Sequence, residues 1–227
     1  MPTVKYDFPN ASPDEKKFAQ EAIDLLQDVV NSDEFMKFVQ DDNYSGRRLR
    51  TAAAGKNYIQ ATNQQIVDII KEGREFRENP ANNTINLKVK LAKLGSNVLG
   101  SMNPPNPQIT TNKTFFDQWK EQEDALSLAA HWMHEWMHVA GFRHVKKNGS
   151  VDRHDVPYKT GKNVVTTGRA ILINRALAQL TIDKSVESIT TCELSPIQLA
   201  KIRGAGEGYF NAPITHMDEA EVADESE

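Results

Sequence analysis

The chain has 227 residues, 39% hydrophobic and 26% charged, with a formal net charge of -4. Those proportions belong to a globular protein with room for a sizeable core, and the acidic balance argues against nucleic acid as the main partner. A single cysteine, Cys192, excludes an internal disulfide, and no apolar stretch is long enough to cross a bilayer, so neither a disulfide-stapled module nor a membrane partner is expected.

The N-terminus, Met1-Pro2-Thr3-Val4-Lys5-Tyr6-Asp7, has no apolar h-region, so no signal peptide is expected in this chain. Ser12-Pro13-Asp14-Glu15 reads as a helix start, with an N-cap serine, proline at the first helical position and a capping-box glutamate. Phe18, Ala22, Leu25, Leu26 and Val29 then recur at helical spacing, which predicts a helix over roughly 13–31. Ser32 opens a shorter helical segment with Phe35, Phe38 and Val39. Residues 41–60 are polar and assign to no element, and Arg47-Arg48-Leu49-Arg50 reads as a solvated basic face. Thr62 and Gln65 form a second capping box ahead of Ile66, Ile69 and Ile70, in a helix ending near Gly73.

A turn-rich break at 79–84 precedes the clearest strand signal, in which Ile85, Leu87, Val89 and Leu91 alternate with Asn86, Lys88 and Lys90. Residues 98–101 and 108–111 are expected to form further short strands around a Pro-rich loop. Residues 122–140 are strongly apolar without Pro or Gly and predict a mostly buried helix, with Trp132 and Trp136 in the core. Beyond it come a polar loop at 146–154, a turn at Asp155-Val156-Pro157-Tyr158, a helix over 167–181, and a short helix from Ser195-Pro196 to Gly204. The expected architecture is α+β, a small mixed sheet with one central helix and a helical C-terminal part. One domain should span 1–227: a part at 1–141 with the sheet, a part at 142–216, and an acidic tail at 217–227.

The last turns of the apolar helix carry the chemistry. Residues 134–144 read His134-Glu135-Trp136-Met137-His138-Val139-Ala140-Gly141-Phe142-Arg143-His144, an uninterrupted H-E-x-x-H-x-x-G-x-x-H. His134 and His138 stand one helical turn apart on one face and can reach a single ion. Glu135 points about 100° away on the same turn, where it can hold a water rather than bind the ion. Gly141 suits a left-handed helix end, after which the chain reverses and brings in His144. Three imidazoles leave one tetrahedral position open, the pattern of a catalytic Zn2+ site rather than a closed structural one. Chance would place all five defined residues in such a chain with odds on the order of 1 in 100,000, so the pattern is read as a metal site.

On His134, Glu135, His138, Gly141 and His144 the chain resembles the metzincin clan of zinc metallopeptidases. The resemblance implies a zincin-like fold, three histidine ligands, Glu135 as general base, and a peptide or protein substrate that pairs with an edge strand. By position that strand falls within 97–112. The resemblance departs at the methionine turn of the clan, because no methionine follows His144 until Met217. Either Val156 or Pro157 takes that place, or Met217 packs below the metal from the far end. Tyr158 has two readings: a hydroxyl at the metal that steadies the oxyanion, or a core ring with its hydroxyl at the surface. His131, one turn before His134, reads as a packed histidine ahead of a donor near the site. His154 and His216 are weaker alternatives to His144 as ligand. Cys192 reads as an idle thiol rather than a switch. A monomeric hydrolase is expected. Its compartment is open between the cytoplasm and, if a precursor signal was removed, the periplasm or exterior.

Overall fold

Local signals start most of the helices where the side chains specify them. In the computed structural model, which describes residues 1–51, 57–76, 81–103, 107–147, 150–184 and 194–211, helix α1 (Pro13–Val30) begins with a reciprocal cap. The Ser12 hydroxyl accepts from the Glu15 amide, and the Glu15 carboxylate accepts from the Ser12 amide at 2.7 Å. Helix α2 (Asp33–Asp41) follows, capped by Ser32. Helix α3 (Asn63–Glu72) has the Thr62–Gln65 capping box at its start and left-handed Gly73 at its end.

The sheet has four strands in the order β1-β4-β6-β5, with β1 (Thr3–Asp7), β4 (Thr84–Ala92) and β6 (Gln108–Asn112) parallel. Strand β5 (Gly100–Asn103) runs antiparallel to β6 at one edge. The alternation read in β4 is the burial pattern found: Ile85, Leu87 and Val89 point into the core. Strand β1 carries no such clear signal, because it is a five-residue edge with lysine and aspartate facing out.

The described residues of 41–51 and 57–60 prove to be structural. Strand β2 (Arg48–Arg50) pairs antiparallel with β3 (Tyr58–Gln60). The basic cluster is not a solvated face. The Arg48 guanidinium lies 4.3 Å from the Tyr58 ring centroid, and that of Arg50 lies 5.6 Å from Phe76.

The apolar helix is shorter than its pattern. Helix α4 (Lys113–Glu121) was not anticipated, and helix α5 (Ala125–Val139) starts afresh after it. Glu123 adopts φ 53, which turns the chain, and Asp124 caps α5 by accepting from the Ser127 amide at 3.1 Å. Every residue of α5 is buried, as befits a helix enclosed on all sides by α1, α4, α6 (Val156–Lys184), α8 (Glu207–Asn211) and the sheet. Trp132 and Trp136 are core residues, and each indole N–H has an acceptor: Thr111 Oγ1 at 3.0 Å and Glu75 Oε1 at 3.4 Å.

Beyond α5, the polar loop contains a small hairpin of β7 (Lys146–Lys147) and β8 (Ser150–Val151). The expected turn at 155–158 is corrected, since Val156 already belongs to α6, which begins eleven residues before the predicted helix. Pro157 stands inside the first turn, where a missing N–H costs nothing. Gly161 and Gly168 weaken the helical pattern for a packing reason. A Cβ at Gly168 would collide with Leu126, and one at Gly161 with the Tyr209 hydroxyl. Helix α7 (Pro196–Gly204) follows its Ser195 cap as predicted, and α8 was not predicted. Cys192, His216, Met217 and the tail 217–227 lie outside the described residues. Among the described residues, no helix is long and apolar enough to cross a membrane.

Candidate metal centre

The reversal after α5 is a Schellman turn. The Gly141 amide donates to His138 O at 3.0 Å and the Phe142 amide to Met137 O at 2.9 Å. Gly141 has φ 107, and a Cβ there would lie 2.7 Å from Arg50 O, so glycine is required twice over. Strand β2 clamps the reversal from outside. The Arg50 amide donates to Gly141 O and the Arg143 amide donates to Arg48 O, both at 3.0 Å. The buried Arg143 guanidinium donates to His138 O at 3.1 Å and to Phe142 O at 3.0 Å, placing a cation at the negative end of α5.

This turn brings His144 back to the helix face that carries His134 and His138. The three histidines are buried, and each offers a ring nitrogen within 4.8 Å of the others. No oxygen of Glu135 belongs to that grouping.

Hydrogen bonds on the far side of the rings decide what the trio can do. His138 Nδ1 lies 2.9 Å from Phe142 O, and His144 Nδ1 lies 2.9 Å from Asp155 Oδ2. Both partners are acceptors, so both Nδ1 atoms carry hydrogen and, in the neutral rings, both Nε2 atoms present lone pairs. Those two Nε2 atoms are 3.2 Å apart. Two lone pairs at that separation repel each other unless a cation lies between them. Two nitrogens bound tetrahedrally to one ion at 2.0–2.1 Å would be about 3.3 Å apart. The donor set therefore fits a divalent metal ion, and the three histidines can hold one.

The third ring is held by a residue with no signal in the sequence. His134 Nδ1 lies 3.0 Å from the Tyr209 hydroxyl, contributed by α8. Burial pushes the Tyr209 phenol well above its ordinary pKa, with further contributions from Tyr158, Glu135 and Asp155, so it is neutral near pH 7. Asp155, expected only as part of a turn, does two jobs. Its Oδ2 accepts from His144 and from the Val145 amide at 3.1 Å, while Oδ1 accepts from the Tyr158 amide at 3.3 Å and caps α6. An aspartate two residues before a proline at a helix start is the one local hint of the cap.

Tyr158 is 2% exposed, so its hydroxyl is not at the surface. Its ring packs edge-on against His134 at 4.6 Å and tilted against His144 at 4.9 Å. His131 is packed in the core, outside the three-histidine grouping. Its Nδ1 lies 3.7 Å from Glu135 Oε1, one turn along the same face, and its Nε2 lies 3.3 Å from Thr111 Oγ1 in the sheet. Gly100 on β5 leaves room for this ring, since a Cβ there would lie 2.5 Å from His131 Cε1. His154 is no part of the centre: it is exposed and pairs with Asp152 Oδ1 at 3.2 Å. A cavity of about 670 Å³ between α1, α6 and α7 contains none of these residues.

Comparison with protein-family models, with curated proteins and with solved structures found no match for the chain.

Proposed function

We propose that this chain is a zinc-dependent endopeptidase of metzincin type. The observation that carries the reading is the pair of inward-facing Nε2 atoms of His138 and His144, 3.2 Å apart, in a grouping with His134. Glu135 follows the first histidine on the same helix turn. A structural zinc site is closed by four protein ligands, whereas three ligands leave a corner for reaction. Among the described residues the grouping holds three donors.

When bound, zinc supplies Lewis acidity, which makes a water nucleophilic near neutral pH and polarises a peptide carbonyl. The protein residues do the rest. Glu135 takes the proton of the attacking water and returns it to the leaving amine nitrogen. Phe142 O, Asp155 and Tyr209 fix the imidazole rings in the orientation the ion needs. Tyr158 places its phenol beside His134 and His144, where it can donate to the developing oxyanion. An extended substrate would add to β5, the sheet edge that passes His131.

A second reading has its own support. His134, Glu135, His138 and His144 are each at most 2% exposed, which suits a zinc-holding structural or interaction protein without turnover. Cleavage of casein or a peptide library, tested with and without a chelator, separates the two. Glu135→Gln should retain zinc and lose about 100-fold or more in kcat. Turnover equal to the parent in that variant rules out Glu135 as the base.

A further inference from the structure

The described C-terminal segment ends in a short helix whose placement is specified more tightly than its length would require. Three backbone ties bind α8 and its approach to the start of α5. The Gly206 amide donates to Asp124 Oδ1 at 2.8 Å, the Gly208 amide to Asp124 Oδ2 at 3.4 Å, and the Tyr209 amide to Ser127 Oγ at 2.9 Å. Ser127 and His134 are seven residues apart and share a face of α5. A segment anchored at Ser127 therefore lies along the face that carries the first histidine. Arg169 of α6 holds the other side, donating to Ala205 O and to Glu207 Oε1, both at 2.7 Å.

The fit around Tyr209 is close. Gly206 adopts φ 82 and a Cβ there would meet Val165, a Cβ at Gly208 would meet Trp119 Nε1, and one at Gly161 would meet the Tyr209 hydroxyl. These absences of side chain let α8 approach until the phenol reaches His134 Nδ1 at 3.0 Å. The other two imidazoles are held by groups four and eleven residues away, Phe142 O for His138 and Asp155 for His144. The Nδ1 partner of His134 comes from an element 75 residues further along the chain.

We propose that Tyr209 is a positioning residue of the metal centre, its hydroxyl holding the His134 ring so that Nε2 faces the other two imidazoles, and that docking of α8 thereby sets metal affinity. The proposal rests on the metal-centre reading but not on peptide hydrolysis. The full chain is tested with zinc alone, by competition with a chromophoric chelator, and with cobalt by visible absorption. Tyr209→Phe keeps the ring and removes the hydroxyl. It should weaken zinc about 10- to 100-fold and shift the cobalt spectrum, with little change in the urea midpoint of the metal-free protein. Gly161→Ala keeps the phenol but displaces its hydroxyl, and should weaken zinc in the same direction. Affinity within twofold of the parent and an unchanged cobalt spectrum in Tyr209→Phe would overturn the assignment. A parent that takes up neither metal would overturn it together with the metal centre. Weakened zinc in the variant supports it whether or not the parent hydrolyses any peptide.

Discussion

Asp155→Asn separates two roles that one buried carboxylate combines. In the parent, Oδ2 receives two donors, the His144 Nδ1–H at 2.9 Å and the Val145 N–H at 3.1 Å, and Oδ1 receives the Tyr158 N–H at 3.3 Å. Asparagine offers one oxygen for these two positions. If its oxygen stays with His144, its NH2 group confronts the Tyr158 amide and the cap of α6 is lost, at a cost of about 1 kcal/mol. If the amide turns over, its NH2 group faces Nδ1, and His144 must move its proton to Nε2, which then cannot bind an ion. A hydrogen bond to a charged group contributes about 1.5–3 kcal/mol, and each tenfold in affinity is about 1.4 kcal/mol. The variant should therefore bind zinc about 10- to 100-fold more weakly and lose about 1 kcal/mol in the metal-free state. Chelator competition and urea unfolding of the metal-free protein measure the two effects independently. A destabilised variant with unchanged zinc affinity would reduce Asp155 to a helix cap and refute its role in orienting His144.

Gly141→Ala forces a left-handed residue against Arg50 O, and should destabilise the metal-free protein by about 1–3 kcal/mol in urea unfolding. An unchanged midpoint would show that the Schellman turn tolerates a side chain. His131→Phe fills the same space but removes the nitrogen that faces Glu135. It should lower kcat about tenfold or more while KM and metal content hold, and a variant with parental kcat would leave His131 a packing residue.

Much of the centre was legible because its core is local. The i, i+4 spacing of His134 and His138 and the glycine before His144 are properties of one helix and one turn, so eleven consecutive residues define them. The same holds for the capped helices α1, α3 and α7, whose first turns carry their own partners. What stayed hidden depends on contacts between distant segments. The clamp by β2 lies in a polar stretch with no periodicity, and only its pairing with 141–143 shows its purpose. Tyr209 follows Gly208 in a five-residue helix, too short for a stripe of apolar residues to announce it. The start of helix α6 is hidden because Pro157 reads as a turn residue, whereas it occupies a first turn. His131 reads as a packed histidine, and only the register of α5 against β6 adds its position between Thr111 and Glu135.

The most direct test is metal content and ligand identity in the purified full chain. After dialysis, elemental analysis and X-ray absorption should find one zinc per chain bound by three imidazole nitrogens at about 2.0–2.1 Å, and His138→Ala should lose it. A parent that retains no zinc, or holds it through fewer than three imidazoles, would contradict the metal centre and the hydrolytic reading built on it.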